Sequence, residues 1–344
     1  MNIVLGMLQF LAIALVTTVA WAGDYYVSTT ESYQKLFEDE ILPLMAESDT
    51  GYFEGTAGAK LFYSNFIHQD PKGSIVVVHG FSESLPKYRE TIFDFYKNGF
   101  NVYFFEQRGH GLSDRFGKHY ESIHVRDYRY YLEDLRIFMD RFVDSSGSVH
   151  LFGHSMGGGV VVRYAQLYPR KVTSAVLSAP MMGLVTGKYP RWLARILAQG
   201  GSALGKAEDY APGKGGFKPD DWVFNGDRLT SSRVRFEKFA GDLLADDTYP
   251  PTGGATYGWV NEAMKLNRIV KNKRLLGEMK TPILLFQAEL ETIVTFGEQE
   301  AFCDKVDSCK LVVLEGSKHD IYLERDEIRL GFMKSVLRFF DGFS

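Results

Sequence analysis

Gly153-His154-Ser155-Met156-Gly157 is the segment of this chain best placed for nucleophilic chemistry. A serine hydroxyl attacks poorly until a neighbouring base takes its proton. It must also stand clear of the backbone, which a sharp strand-to-helix turn achieves when flanking glycines leave no Cβ in the way. Val149–Gly153 reads as a strand, and Met156–Tyr168 reads as a helix stopped by Pro169. The turn between them would expose the Ser155 hydroxyl, and the first helical turn would aim its N–H groups at a developing oxyanion.

Three further groups complete such chemistry, in chain order. His79-Gly80-Phe81 follows an early strand, where a second oxyanion donor is needed, so the N–H groups of Phe81 and Met156 form the expected pair. His79 and Glu83 are read there as residues that order the loop. Of eight histidines, only His319 lies just beyond a late strand, in Gly316-Ser317-Lys318-His319, where it can serve as general base to Ser155. Between Ser155 and His319, a strand ends in Glu289-Leu290-Glu291, whose carboxylates are candidates to hold the histidine's tautomer. Glu291 is favoured; Glu289 and Asp304 are lesser candidates.

These groups need a frame, and the hydropathy pattern supplies one. Ser74–His79 is a continuous apolar run of the kind found in strands buried on both faces. Strands also read at 101–106, 174–178, 282–288 and 310–315, alternating with helices near 88–98, 128–142, 297–304 and 327–340. Two antiparallel strands, 51–54 and 60–66, precede them. Strand–helix alternation marks a mostly parallel sheet with helices on both faces. It breaks between 181 and 280, a stretch rich in Trp, Tyr, Gly and charge that reads as an inserted helical cap. The expected division is therefore a leader at 1–22, core at 23–180, cap at 181–280 and core again at 281–344.

The motifs resemble those of the α/β-hydrolases, and from about Tyr52 onward those of bacterial lysophospholipases that neighbour the monoacylglycerol lipases. The segments are His79-Gly80-Phe81-Ser82-Glu83-Ser84, Arg108-Gly109-His110-Gly111-Leu112-Ser113, Gly153-His154-Ser155-Met156-Gly157-Gly158 and Ser178-Ala179-Pro180-Met181-Met182-Gly183. Tyr257-Gly258-Trp259-Val260, Gln287-Ala288-Glu289-Leu290-Glu291 and Gly316-Ser317-Lys318-His319-Asp320 match as well. The resemblance implies an α/β-hydrolase fold and places the acid four residues after Gln287, at Glu291. Glutamate there, rather than aspartate, points to the lysophospholipase branch. It implies a lysophospholipid as substrate, with monoacylglycerol lipase or general carboxylesterase activity as the nearest alternatives. A prolyl-type serine aminopeptidase shares the fold and elbow and stands further off, with Asp246-Asp247 as a faint hint of an amine site. A non-catalytic binding protein fits poorly with an intact set of three catalytic groups.

Other features bound the reading. With 39 basic against 43 acidic residues the net charge is −4, and no basic cluster is dense enough for nucleic acid. Residues 3–22 carry no charge and end Ala20-Trp21-Ala22, the small-x-small pattern of a cleaved export signal. An uncleaved membrane anchor is the alternative, and either reading puts the protein outside the cytosol. Cys303 and Cys309 are the two cysteines, and an exported chain would join them as a disulfide. No metal-ligand spacing appears, and no cofactor is expected. Gly200–Lys206 nearly spells a phosphate-binding loop, but Ala207 lacks the needed hydroxyl, so it reads as a cap loop. Tyr189, Trp192, Leu193, Ile196 and Leu197 repeat at helical spacing. The plainer reading packs them onto the main domain; alternatively Trp192 and Ile196 floor an acyl-chain groove or dip into a membrane surface.

Overall fold

The computed structural model of the chain describes residues 25–187, 190–226 and 228–344. The leader at 1–22 and Tyr189 lie outside them. Eight strands form one sheet: β1 (Asp49–Glu54), β2 (Lys60–Phe66), β3 (Ser74–Val78), β4 (Asn101–Phe105), β5 (Val149–His154), β6 (Ser174–Ser178), β7 (Ile283–Ala288) and β8 (Cys309–Leu314). Their spatial order is β1-β2-β4-β3-β5-β6-β7-β8. β1–β2 and β2–β4 pair antiparallel, and every other pair is parallel. The chain is an α/β-hydrolase fold. Strands β3 to β7 are buried along their whole length, which is why the sequence shows them as unbroken apolar runs rather than alternating ones.

Helices cover both faces: α1 (Arg89–Lys97), α2 (Arg129–Phe142), α3 (Met156–Leu167), α4 (Arg191–Gly201), α5 (Arg233–Ala245), α6 (Tyr257–Val270), α7 (Phe296–Cys303) and α8 (Asp326–Asp341). Two apolar clusters result. One packs α2, α3 and α6 on a face of the sheet, and the other packs α1, α5 and α8 on the opposite face. A helical stretch from Tyr33 to Ala46 was not expected from the sequence; Tyr33, Phe37 and Ile41 pack there against Phe93 of α1. Its apolar spacing is short and interrupted by acids, so the periodic signal is weak.

The chain leaves the sheet after β6 and returns at β7, and α4 to α6 lie between. This insert is fastened by buried charge. The Arg235 guanidinium of α5 is fully buried, 2.9 Å from the Glu90 carboxylate of α1 and 2.8 Å from Asp326 of α8. Arg329 of α8 meets Glu90 at 3.4 Å and Asp94 at 2.7 Å in the same cluster. Removing one member would strand a buried charge, which typically costs 3–5 kcal/mol, about as much as losing a large core side chain.

Gly200–Lys206, expected as a loop, is helical instead. α4 runs to Gly201 and a wider turn continues to Lys206, with Gly205 at φ 77° ending it. A Cβ on Gly201 would stand 2.4 Å from the Tyr257 ring. That glycine lets α4 and α6 approach closely rather than marking a loop.

The last turn of α7 and the first residue of β8 bring Cys303 and Cys309 together, Cα atoms 5.0 Å apart, as a disulfide. Closing so short a loop stabilises by about 2 kcal/mol in the chain-entropy model. Non-reducing mass spectrometry of the protein should find the Cys303–Cys309 peptide linked; two thiols open to alkylation would contradict the pairing.

Candidate active site

Ser155 sits between β5 and α3 with φ 49° and ψ −118°, a strained backbone for a residue with a Cβ. The neighbouring glycines make the strain tolerable by close approach. A Cβ on Gly157 would fall 2.0 Å from the Val78 carbonyl of β3, and one on Gly153 would fall 2.9 Å from Gly158. The turn is held from both sides: the Ser155 N–H donates to Ser178 O at 3.0 Å, and the Met181 N–H donates to Ser155 O at 2.7 Å.

Three loops converge on the Ser155 hydroxyl. His319 lies just past β8, and its Nε2 is 2.9 Å from Ser155 Oγ. Its Nδ1 lies 2.6 Å from Glu291 Oε2. A carboxylate only accepts, so Nδ1 carries the proton and Nε2 is left free to accept from the serine. Glu291 Oε1 accepts in turn from the Ile293 N–H at 2.7 Å and the Val294 N–H at 3.3 Å. Burial alone would raise the Glu291 carboxyl, but the His319 hydrogen bond and these two N–H donors hold it below the ordinary value. It is therefore ionised, as a partner to an imidazolium must be. Glu289 does other work: Oε2 accepts the Gly316 N–H at 2.8 Å and braces the loop before His319. Asp304 is exposed beyond α7, outside this cluster.

The Met156 N–H opens α3, and Phe81 lies in the turn after β3. Neither N–H is taken up by an acceptor among the described residues. His79 orders that turn: Nδ1–H donates to Gly80 O at 2.7 Å and Nε2 accepts the Gln107 N–H at 2.8 Å. Full burial pushes this imidazole down to about 4, so it stays neutral.

Ser155, His319 and Phe81 open into a cavity of about 690 Å³. Trp222, Phe224, Phe236 and Phe239 form its apolar wall; Lys214, Lys218, Asp220 and Arg228 also line it. Trp192 and Ile196 do not. They face outward from α4 at 65% and 55% exposed, so both the core reading and the groove reading fail for them. Of the α4 residues Ala198 is buried and Leu193, Ala194 and Leu197 are half-buried, which leaves Trp192 and Ile196 on the outer side. His154, His319 and Asp320 bring three potential ligand atoms within 4.8 Å. A metal is poorly served there, because the Lys87 ammonium is 2.8 Å from Asp320 Oδ2 and Ser155 already engages His319 Nε2. The residues missed in the sequence are these buried charges, Lys87 and Asp320, which no local pattern distinguishes from surface ones.

A mostly parallel sheet with a serine at its strained elbow, a histidine past the last strand and a carboxylate past the one before defines a serine hydrolase of the α/β-hydrolase fold. Residues 69–326 match the family model described as serine aminopeptidase, S33, and the chain belongs to that family. It is 29% identical over 304 residues to a probable lysophospholipase L2 of Haemophilus influenzae, covering 87% of this chain and 94% of that one. Lysophospholipase L2 of Escherichia coli K12 is 29% identical over 308 residues, covering 86% and 88%. A solved monoglyceride lipase from Saccharomyces cerevisiae superposes with a TM-score of 0.68 at 19% identity, covering 86% of this chain and 96% of that one. The chain is a serine ester hydrolase.

Exchanging Glu291 for Gln should lower kcat by roughly 10²–10⁴ through misorientation of His319. Glu289→Gln should lower it by less than about tenfold. Steady-state kinetics on a soluble ester reads both, and a larger loss for Glu289→Gln would move the acid.

Proposed function

We propose that the protein is an exported lysophospholipase. Ser155 attacks the fatty-acyl carbonyl while His319 Nε2 takes the hydroxyl proton. The N–H groups of Phe81 and Met156 receive the oxyanion, and Glu291 stabilises the imidazolium. His319 returns the proton to the departing glycerol oxygen, leaving an acyl-enzyme. A water, deprotonated by His319, then attacks the ester and releases the fatty acid and Ser155.

One observation carries the substrate: the cavity that holds Ser155 combines an aromatic wall with four cations, of which Lys87 is held by Glu83 and Asp320. Lys214, Lys218 and Arg228 line it with no ion-pair partner among the described residues. An acyl chain suits the wall, and a phosphate suits the cations. The lysophospholipase relatives support the same reading. Outside the cavity, Trp192, Ile196 and Leu204 are exposed on and after α4, beside Arg191 and Arg195. An apolar face flanked by arginines fits an anionic bilayer surface, from which such a substrate would be drawn. Among the described residues no helix is long and apolar enough to cross a membrane. The disulfide and the apolar leader support export, since disulfides persist in oxidising compartments.

A second reading has its own observation. Asp246 and Asp247 line a neighbouring cavity of about 290 Å³ that shares Phe217, Trp222 and Thr252 with the first. Carboxylates there suit the α-amine of a peptide.

The measurement is kcat/KM for lysophosphatidylethanolamine, monoolein, a butyryl ester and a prolyl arylamide, side by side. The lysophospholipid should be preferred by about tenfold or more, a margin of about 1.4 kcal/mol. Preference for monoolein would leave a monoacylglycerol lipase, and preference for the arylamide would make the acidic cavity the specificity site. Replacing both Trp192 and Ile196 with Ser should weaken sedimentation with anionic vesicles and leave butyryl ester hydrolysis unchanged.

A further inference from the structure

Lys87 is a cation where none is expected. It lies in the helical turn Leu85–Tyr88, on the main domain, with its side chain 6% exposed. Burying an ammonium is unfavourable unless opposite charge meets it. Two carboxylates do: Glu83 Oε1 at 2.5 Å and Asp320 Oδ2 at 2.8 Å. Burial alone would lower the Lys87 ammonium, but Asp320 and Glu83 together hold it above the ordinary value. The same ammonium, overcoming burial, holds the Glu83 carboxyl far below its ordinary range.

Each carboxylate secures a different half of the active site. Glu83 Oε2 accepts the Gly80 N–H at 2.6 Å and the Tyr88 hydroxyl at 2.6 Å. Gly80 immediately precedes Phe81, whose N–H is one of the two oxyanion donors. Asp320 immediately follows His319. Its Oδ1 is 3.2 Å from His154 Nε2, and the His154 ring lies 4.8 Å from that of His319. His154 precedes Ser155, and its Nδ1–H donates to Ser178 O at 3.0 Å, the carbonyl that also receives the Ser155 N–H. The Tyr322 hydroxyl donates to Glu83 Oε1 at 3.2 Å. Beyond Glu83 and Asp320, the Lys87 ammonium lies near the rings of Phe239 and Tyr322, and the residue borders the cavity that holds Ser155. All four charged or titratable members, Glu83, Lys87, His154 and Asp320, are buried.

We propose that Lys87 is a positioning residue for the hydrolysis assigned above: its ammonium ties the oxyanion-donor loop, through Glu83, to the general-base loop, through Asp320. The proposal rests on Ser155 and His319 being the reacting pair. A cation needed only for folding would be felt as lost stability, with the folded fraction fully active. A cation that sets the separation of Phe81 N–H, Ser155 and His319 is felt in the turnover of correctly folded molecules. Displacing reacting groups by about 1 Å costs on the order of 10²-fold in rate.

The test is a double-mutant cycle of Lys87→Met and Asp320→Asn in the full chain, with sites counted by fluorophosphonate titration. On p-nitrophenyl butyrate, kcat per titrated site should fall about 10²-fold for Lys87→Met, with KM within about threefold. The double variant should lose much less than the product of the single losses, because both act through one link. The rate of fluorophosphonate labelling should fall in parallel with kcat. Unchanged kcat per site, a loss confined to KM, or single losses that multiply in the double variant would overturn the proposal. Should Lys87→Met fail to fold by near-ultraviolet circular dichroism, Glu83→Gln is read instead. It keeps the side-chain shape and removes one anchor, so kcat should fall about tenfold at constant KM; wild-type kcat would overturn the proposal. A wild type that labels at Ser155 but prefers a non-lipid substrate would overturn the substrate reading alone, leaving the labelling rates to decide on Lys87.

Discussion

The hydrogen bond between Ser155 Oγ and His319 Nε2 joins residues 164 positions apart, and the molecule is arranged around keeping it made. Neither partner is held by its own loop alone. Ser155 depends on β5 ending against β3 and β6, where glycines permit contacts that a Cβ would forbid. His319 depends on β8 lying beside β7, because its tautomer is set by Glu291 from the loop after β7. Parallel pairing places all these strand ends on one edge of the sheet. Chemistry gathers there because three separate loops meet at that edge.

Charge is also buried at that edge, and the fold tolerates it by pairing. Glu83, Lys87 and Asp320 sit under the serine, and Arg108 is clasped by Asp134 through two hydrogen bonds of 2.7 Å. Glu106 is the contrasting case. Its carboxyl is fully buried at the end of β4, where it accepts the N–H groups of Leu85 and Leu112 at 2.9 and 2.5 Å, with Arg115 and the Tyr249 hydroxyl also close by. Burial pushes it up to about 7 despite those donors. Where the Lys87 ammonium lies against Glu83 and Asp320 it holds both below their ordinary values, whereas at Glu106 burial outweighs every favourable neighbour.

The sheet and the reacting trio were legible in the sequence because each leaves a local trace. Fully buried strands appear as apolar runs, and Gly153–Gly157 carries its geometry in its glycines. Glu291 was legible through the family resemblance, which implies an acid four residues after Gln287; by charge alone Glu289 is an equal candidate. What was not legible depends on partners distant in sequence. Lys87 reads as an ordinary surface lysine until Asp320, 233 positions later, is placed beside it. Trp192 and Ile196 misled for the converse reason. Large apolar residues at helical spacing signal a buried face, but on α4 the buried residue is Ala198, with Leu193 and Leu197 only half-buried. The fold class and its lysophospholipase and monoacylglycerol lipase relatives agree with the resemblance read from the motifs.

The central claim is that Ser155 is the nucleophile. Treating the folded protein with a fluorophosphonate and mapping the adduct by peptide mass spectrometry tests it most directly. The account predicts one adduct, on the peptide containing Ser155, and no adduct or ester hydrolysis in Ser155→Ala. An adduct on another serine, or a Ser155→Ala protein that still turns over ester, would contradict it.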